Sequence, residues 1–190
     1  MRALRAAFVE AIAQQDATRL RFLDETSVRI DFARRYGRAP DGQRCIDAVP
    51  HTRGRNVTVV ATLSPQGLEA VMEVEGALNQ DVFAAYLEQV LAPELQPGDV
   101  ILLDNLSAHK DKTGRFDAIV AACGARLLYL PPYSPDFSPI ELAFSKLKTA
   151  LRNAAARTRE ALQSALVEAI NWITEQDAKN WFDHCGYHVQ

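Results

Sequence analysis

"GDVILLDNLSAHK", residues 98–110, is the stretch on which the reading of this chain turns. The apolar run Val100–Leu103 has the look of a buried strand, yet it ends on Asp104, followed at once by Asn105 and, a helical turn later, by His109. An ionised carboxylate is costly to desolvate unless something pairs with it, and a bound cation is one such partner. Asp104 also has a plainer reading, as the cap of a following helix. Which reading holds depends on what else the chain supplies.

Downstream, a helix over about 111–122 and the short run "ARLLYL", closed by Pro131-Pro132, complete a β-α-β unit, which favours parallel strands. Upstream, "RLRFLDETSVRID" (19–31) sets Leu20 and Phe22 against Arg19 and Arg21 and is rich in strand formers, so a strand is expected through Asp24 to Asp31. The turn-rich "GRAPDGQ" punctuates it. "NVTVVATLSPQGLEAVMEVEG" (56–76) reads as a hairpin about Ser64-Pro65-Gln66-Gly67. Asn79 is placed to cap a helix ending near Pro93, with Val82, Phe83, Tyr86, Leu87 and Val90 at helical spacing. Leu4, Phe8 and Ile12 mark a lead-in helix over Arg2–Gln15.

From Ser138 onward the pattern is helical, with one stripe at Ile140, Phe144, Leu147 and Leu151 and another at Leu162, Leu166, Ile170 and Ile173. The order of elements suits an α/β fold, a mixed five-stranded sheet with helices on both faces. One domain is expected over 1–190: a lead-in helix at 1–18, a core at 19–155 and C-terminal helices at 156–190.

Composition bounds the function. With 190 residues, 48% hydrophobic and 24% charged, the chain is long enough for one substantial core. Its apolar runs are too short to span a bilayer and Glu10 interrupts the N-terminal one, so neither a membrane partner nor a secretory signal is expected and the location reads as cytoplasmic. Cys45, Cys123 and Cys185 are widely spaced and odd in number, which argues against a disulfide framework or a zinc knuckle. A net charge of −3 does not by itself favour nucleic acid. Between Arg34 and Arg55, however, Arg34, Arg35, Arg38, Arg44, Arg53 and Arg55 face only Asp41 and Asp47, which makes either a basic surface or a solvated arginine-rich loop.

Three acids stand out by context: Asp24 inside the first strand, Asp104 at the end of the fourth, and Glu141 in the first turn of a late helix. Each has a structural alternative. Asp24 and its neighbour Glu25 fit an exposed strand face. "SPIE", residues 138–141, matches a capping box, with Ser138 at N-cap, Pro139 at N1 and Glu141 at N3. Helix geometry also puts Glu141, Ser145, Lys148 and Arg152 on one polar stripe, a carboxylate heading a row that ends in two cations. Three hard oxygen donors suit Mg²⁺ or Mn²⁺, and two such ions about 4 Å apart clamp the attacking and leaving oxygens of a phosphodiester. The chemistry expected is phosphoryl transfer.

"RLRFLDET", "LLDNLSAHK" and "LYLPPYSPDFSPIELAFSKLK" together resemble the three signature blocks of the DDE transposases of the mariner-like superfamily, most of all its bacterial insertion-sequence branch. The spacing from Asp104 to Glu141, "GRAP" at 37–40 and the terminal "WFDHCGY" are similar to that branch as well. The resemblance implies an RNase H-like (retroviral-integrase superfamily) fold with the first and fourth strands side by side. It implies a catalytic triad of Asp24, Asp104 and Glu141 holding two Mg²⁺ or Mn²⁺ ions, with Asp24 bridging them. Glu25, Asn105 and His109 are expected to support the acids or position DNA, and Arg34, Arg35, Arg38, Arg53, Arg55, Lys148 and Arg152 to bind it.

Ser138 and Phe144 depart from the family's common Asn and Trp without threat to the chemistry, since Ser also caps and Phe also fills an apolar site. No stretch before Arg19 is long enough for the family's helix-turn-helix region. A catalytic domain is therefore expected, with a separate helix-turn-helix region or subunit, transposon ends and target DNA as partners, and a homo-oligomer in the active complex. The activity implied is metal-dependent DNA cleavage and strand transfer; the alternatives are a non-catalytic DNA-binding or assembly module and a plain RNase H-like nuclease. "HCGYH" (184–188) reads as a helix end with Gly186 at C′ in preference to a metal site.

Overall fold

The computed structural model describes residues 2–52, 54–105 and 113–189. Five strands, β1 (Leu20–Val28), β2 (Val57–Ser64), β3 (Gly67–Glu75), β4 (Val100–Leu103) and β5 (Arg126–Tyr129), form one sheet in the order β3-β2-β1-β4-β5. The β1–β2 and β2–β3 pairs are antiparallel; β1–β4 and β4–β5 are parallel. Among the described residues the helices are α1 (Arg2–Ala13), α2 (Gln80–Tyr86), α3 (Arg115–Ala122), α4 (Ile140–Ala154), α5 (Arg159–Asn171) and α6 (Glu175–His184). None is long and apolar enough to cross a membrane. Cys45, Cys123 and Cys185 are free thiols.

Strand alternation divides the core in two. Leu20, Phe22, Val100 and Leu102 project to one face, where α1, α4, α5 and α6 cover them. Leu23, Ile101 and Leu103 project to the other, against Phe83, Leu87 and Leu91 of the α2 region and Phe116 and Val120 of α3. Burial on both faces is why β4 reads as an unbroken apolar run.

Several sequence expectations are adjusted by packing. β1 ends at Val28 rather than Asp31, because its partner β2 begins at Val57 and no ladder remains beyond that pair. Leu4 of α1 is exposed while Phe8 and Ile12 are buried, so the apolar contact of α1 is made by its C-terminal half. α2 continues through a π-helical turn at Leu87–Leu91 before Pro93. Ile173 is buried but lies beyond α5, in the break before Thr174 caps α6 with a capping box. The expected hairpin forms as read, with Ser64 opposite Gly67.

The C-terminal block is structural. At the end of α6 the Gly186 N–H donates to Asp183 O at 3.0 Å and the Tyr187 N–H to Phe182 O at 2.9 Å, a Schellman closure with Gly186 at φ 89°. That turn returns Tyr187 to the sheet, where Phe22, Phe182 and Tyr187 form an aromatic cluster with Phe22–Phe182 centroids 5.3 Å apart. Such a pair adds about 0.5–1.5 kcal/mol beyond burial. The Tyr187 hydroxyl then donates to Phe137 O at 2.7 Å, tying the chain end to the loop that leads into α4.

Candidate active site

Parallel pairing in register places two of the acids. Leu20 pairs with Val100 and Leu23 with Leu103, so Asp24 and Asp104 are each the next residue beyond the ladder. They share the parity of Leu20, Phe22, Val100 and Leu102, which directs both to the face covered by α4. The third acid arrives with that helix. Ile140, Ala143, Phe144, Leu147 and Leu151 are buried, and each large side chain among them contributes about 1.5–3 kcal/mol of burial. Their stripe fixes the rotation of α4, and Glu141 comes to the C-terminal ends of β1 and β4.

Asp24, Asp104 and Glu141 line one cavity of about 510 Å³, together with Asn105, Ser138 and the loop Leu130–Pro135. The Asn105 amide donates to Leu130 O at 2.5 Å, which holds the end of β4 to the end of β5. Asp24 accepts the Glu25 N–H at 2.8 Å. Burial, opposed by that hydrogen bond and reinforced by the charges of Glu25, Glu141 and Asp104, raises the Asp24 carboxyl from 3.8 to about 7. Asp24 thus lies close enough to Glu141 and Asp104 for their charges to raise its carboxyl. Their oxygens are the right donors for a hard divalent cation, although among the described residues no three His, Cys, Asp or Glu side chains are drawn together as a ligand cluster.

The capping reading of Glu141 gives way here. α4 begins at Ile140 with Pro139 at its N-cap and no side-chain cap bond. The Glu141 N–H donates to the Ser138 carbonyl at 3.2 Å in a tight first turn, so the Ser138 hydroxyl is not its partner. α3 has Gly114 and not Asp104 at its N-cap.

The remaining expected residues separate. Glu25 pairs across the ladder with Val60, on the face opposite Asp24, and does not line the cavity. His109 and Arg53 lie outside the described residues. Arg55 is ion-paired with Glu75 at 3.2 Å, at the far end of the β2–β3 hairpin, because chain pairing there brings the two side chains together. Arg38 lies in an exposed loop. Arg34, Arg35 and Arg152 do converge, in a second depression of about 230 Å³ with Tyr36, Ser145 and Thr149. The Arg152 guanidinium lies over the Phe32 ring at 5.1 Å, and burial followed by the Arg35 charge lowers its pKa. Lys148 sits between the two sites: burial lowers its pKa first, Glu141 and Asp24 oppose this, and Arg152 and Arg35 add to it.

Sequence reading missed the wall of the acidic cavity. Arg5 of α1 donates to Ser134 Oγ at 2.8 Å and to both Asp136 oxygens at 3.0 and 2.5 Å, and it lies over the Phe137 ring at 4.2 Å. Phe8 stacks on Phe137 at 5.3 Å. The available signal was the turn-rich "PPYSPDF" directly after β5, because in a parallel sheet the loops at the C-terminal strand ends surround the ligand.

A mixed five-stranded sheet in the order β3-β2-β1-β4-β5 with helices on both faces is an RNase H-like fold, here with carboxylates at the ends of β1 and β4 and at the head of a covering helix. The chain belongs to the DDE superfamily endonucleases, whose family pattern matches residues 19–163. The fold is shared with solved mariner transposases. A pre-cleavage Mos1 transpososome matches with TM-score 0.72 at 14% identity, covering 98% of this chain and 60% of that one. The Mos1 mariner paired-end complex with Mn matches with TM-score 0.72 at 15% identity, covering 97% and 57%. The Mos1 mariner catalytic domain matches with TM-score 0.71 at 13% identity, covering 96% and 85%. The chain thus spans about 60% of the transposase chain in the first of these complexes. No curated protein matches.

Proposed function

We propose that this chain is the catalytic domain of a DNA transposase, cutting a DNA strand and then joining the freed 3′-hydroxyl to target DNA. The observation that carries the reading is the convergence of Asp24, Asp104 and Glu141, distant in sequence, on one cavity at the C-terminal strand ends. Solved proteins of the same fold include a paired-end complex with a left transposon end and paired-end complexes with Mn and with Mg, which supports DNA and a divalent ion as ligands here. The three carboxylates would hold two Mg²⁺ or Mn²⁺ ions. Bound there, such ions activate the attacking oxygen and neutralise the phosphate.

The chain's own residues prepare this chemistry. Asp24, raised to about 7, would have to give up its proton to hold an ion. Asn105 fixes the end of β4 beside the loop at Leu130. Lys148 faces the acids from one side and the arginines from the other, a path for a DNA backbone from the cavity to Arg34, Arg35 and Arg152. That path follows α4 for about 16 Å at 1.5 Å per residue. Choice of particular ends falls to a separate helix-turn-helix region, and pairing of two ends to a homo-oligomer acting on DNA in the cytoplasm.

The test is a strand-transfer assay with pre-cleaved DNA in Mn²⁺, using Asp24→Asn, Asp104→Asn and Glu141→Gln. Each variant should fold and lose both cutting and joining. Full activity in a folded variant removes that residue from the triad; cutting without joining in the wild type makes the protein a plain nuclease.

A further inference from the structure

We propose that Tyr133 is a stacking platform for a nucleobase next to the phosphate that would be cut at Asp24, Asp104 and Glu141; this rests on the reading of that cavity as a DNA-cleaving site. Tyr133 lines the cavity with the three acids, yet the residue is 90% exposed. A ring in that state packs on little of the protein and adds little to stability. Tyr86 and Tyr187, by contrast, are buried.

Its backbone is the second observation. Tyr133 has φ 54°, in the left-handed region where bulky residues are outliers and where glycine or asparagine would sit with less strain. Such a conformation persists when its surroundings over-determine it, and it is concentrated at ligand-binding sites. The surroundings of Tyr133 do this. Before Tyr133, the Leu130 carbonyl is held by Asn105. After it, Arg5 grips Ser134 and Asp136, and Phe137 is held by Phe8 and by the Tyr187 hydroxyl. The loop is pinned on both sides and presents an unpacked aromatic ring at the mouth of an acidic cavity.

Chemistry selects the occupant. Three carboxylates repel phosphate oxygens except where a cation intervenes, so what meets the wall beside them is the uncharged part of a nucleotide. A tyrosine ring offers a flat apolar face, and every nucleobase has a π-face to lay on it. The pinned backbone lowers the ordering cost of that contact.

The test is a thermodynamic cycle on a pre-nicked duplex in Mn²⁺, with the nucleotide at the nick either intact or abasic. With the intact base, Tyr133→Ala should bind about tenfold more weakly than wild type and Tyr133→Phe about as well, since stacking on an aromatic ring changes affinity roughly 5- to 150-fold. Removing the base should weaken wild type by about the same factor and leave Tyr133→Ala unchanged. A 5-iodouracil placed at the nick should photo-crosslink to Tyr133. Thermal unfolding of both variants should match wild type, because the ring is exposed. If wild type binds and cuts DNA while Tyr133→Ala binds equally well, or if base removal weakens both proteins equally, the stacking role is overturned and the nuclease reading stands. If wild type neither binds nor cuts DNA, both fall.

Discussion

Asp24→Asn should stabilise the metal-free protein while abolishing its activity. Asp24 titrates at about 7 in the fold against 3.8 ordinarily, because it is buried near Glu25, Glu141 and Asp104. The folded state therefore holds the Asp24 proton more tightly than the unfolded chain between those values, and stability falls as pH rises from about 4 to about 7. At roughly 1.4 kcal/mol per pH unit, the full penalty above about pH 7 is about 4 kcal/mol. Water reaches part of the side chain, and about half of that is the expected effect. Asparagine keeps the oxygen that accepts the Glu25 N–H and removes the charge. In EDTA at about pH 8 the variant should melt roughly 4–8 °C above wild type, at 2–4 °C per kcal/mol for a domain of this size. The gap should close towards about pH 4. Melts in EDTA across that range, with DNA nicking in Mn²⁺ measured alongside, check it. A gap that does not change with pH, or a variant less stable than wild type at about pH 8, refutes the electrostatic account.

Mn²⁺ or Mg²⁺ should raise the unfolding temperature of wild type more at about pH 8 than at about pH 6, because the ion must displace the Asp24 proton; titration by calorimetry in the two buffers reads this, and an equal response counts against Asp24 as a ligand. Lys148→Ala and Arg152→Ala should each lower the slope of log affinity for DNA against log salt by about 1, whatever the sequence, whereas Arg55→Ala, whose side chain pairs with Glu75, should change it less. Arg5→Ala should impair cleavage more than stability, since it releases the cavity wall at Ser134 and Asp136 rather than the core; near-normal nicking in that variant would show that the wall does not depend on α1.

The strands were legible because their signals are local. The unbroken apolar run of β4 records burial on both faces, the Ser64–Gly67 turn records a tight hairpin, and Gly186 records a left-handed helix end. The stripe Ile140–Phe144–Leu147–Leu151 likewise announces which side of α4 is buried. From such patterns, and from the resemblance of three short blocks, the sequence alone pointed to an RNase H-like core and to the acids Asp24, Asp104 and Glu141.

What it could not decide was where distant side chains meet. Glu141 matched a capping box as well as a site, and only the docking of α4 onto the ends of β1 and β4, with the first turn closed on the Ser138 carbonyl, turns it to the cavity. Glu25, adjacent to Asp24, is set on the opposite face by the parity of a strand covered on both faces, and so does not line the cavity. Arg55 belonged to the same arginine-rich run as Arg34 and Arg35, yet pairing of β2 with β3 carries it to Glu75. The Arg5 clamp on Asp136 joins residues 131 positions apart. Periodicity and capping act over a few residues and leave their mark in local sequence, whereas the meeting of side chains across a core is set by the register and docking of whole elements, and no short window of sequence contains that information.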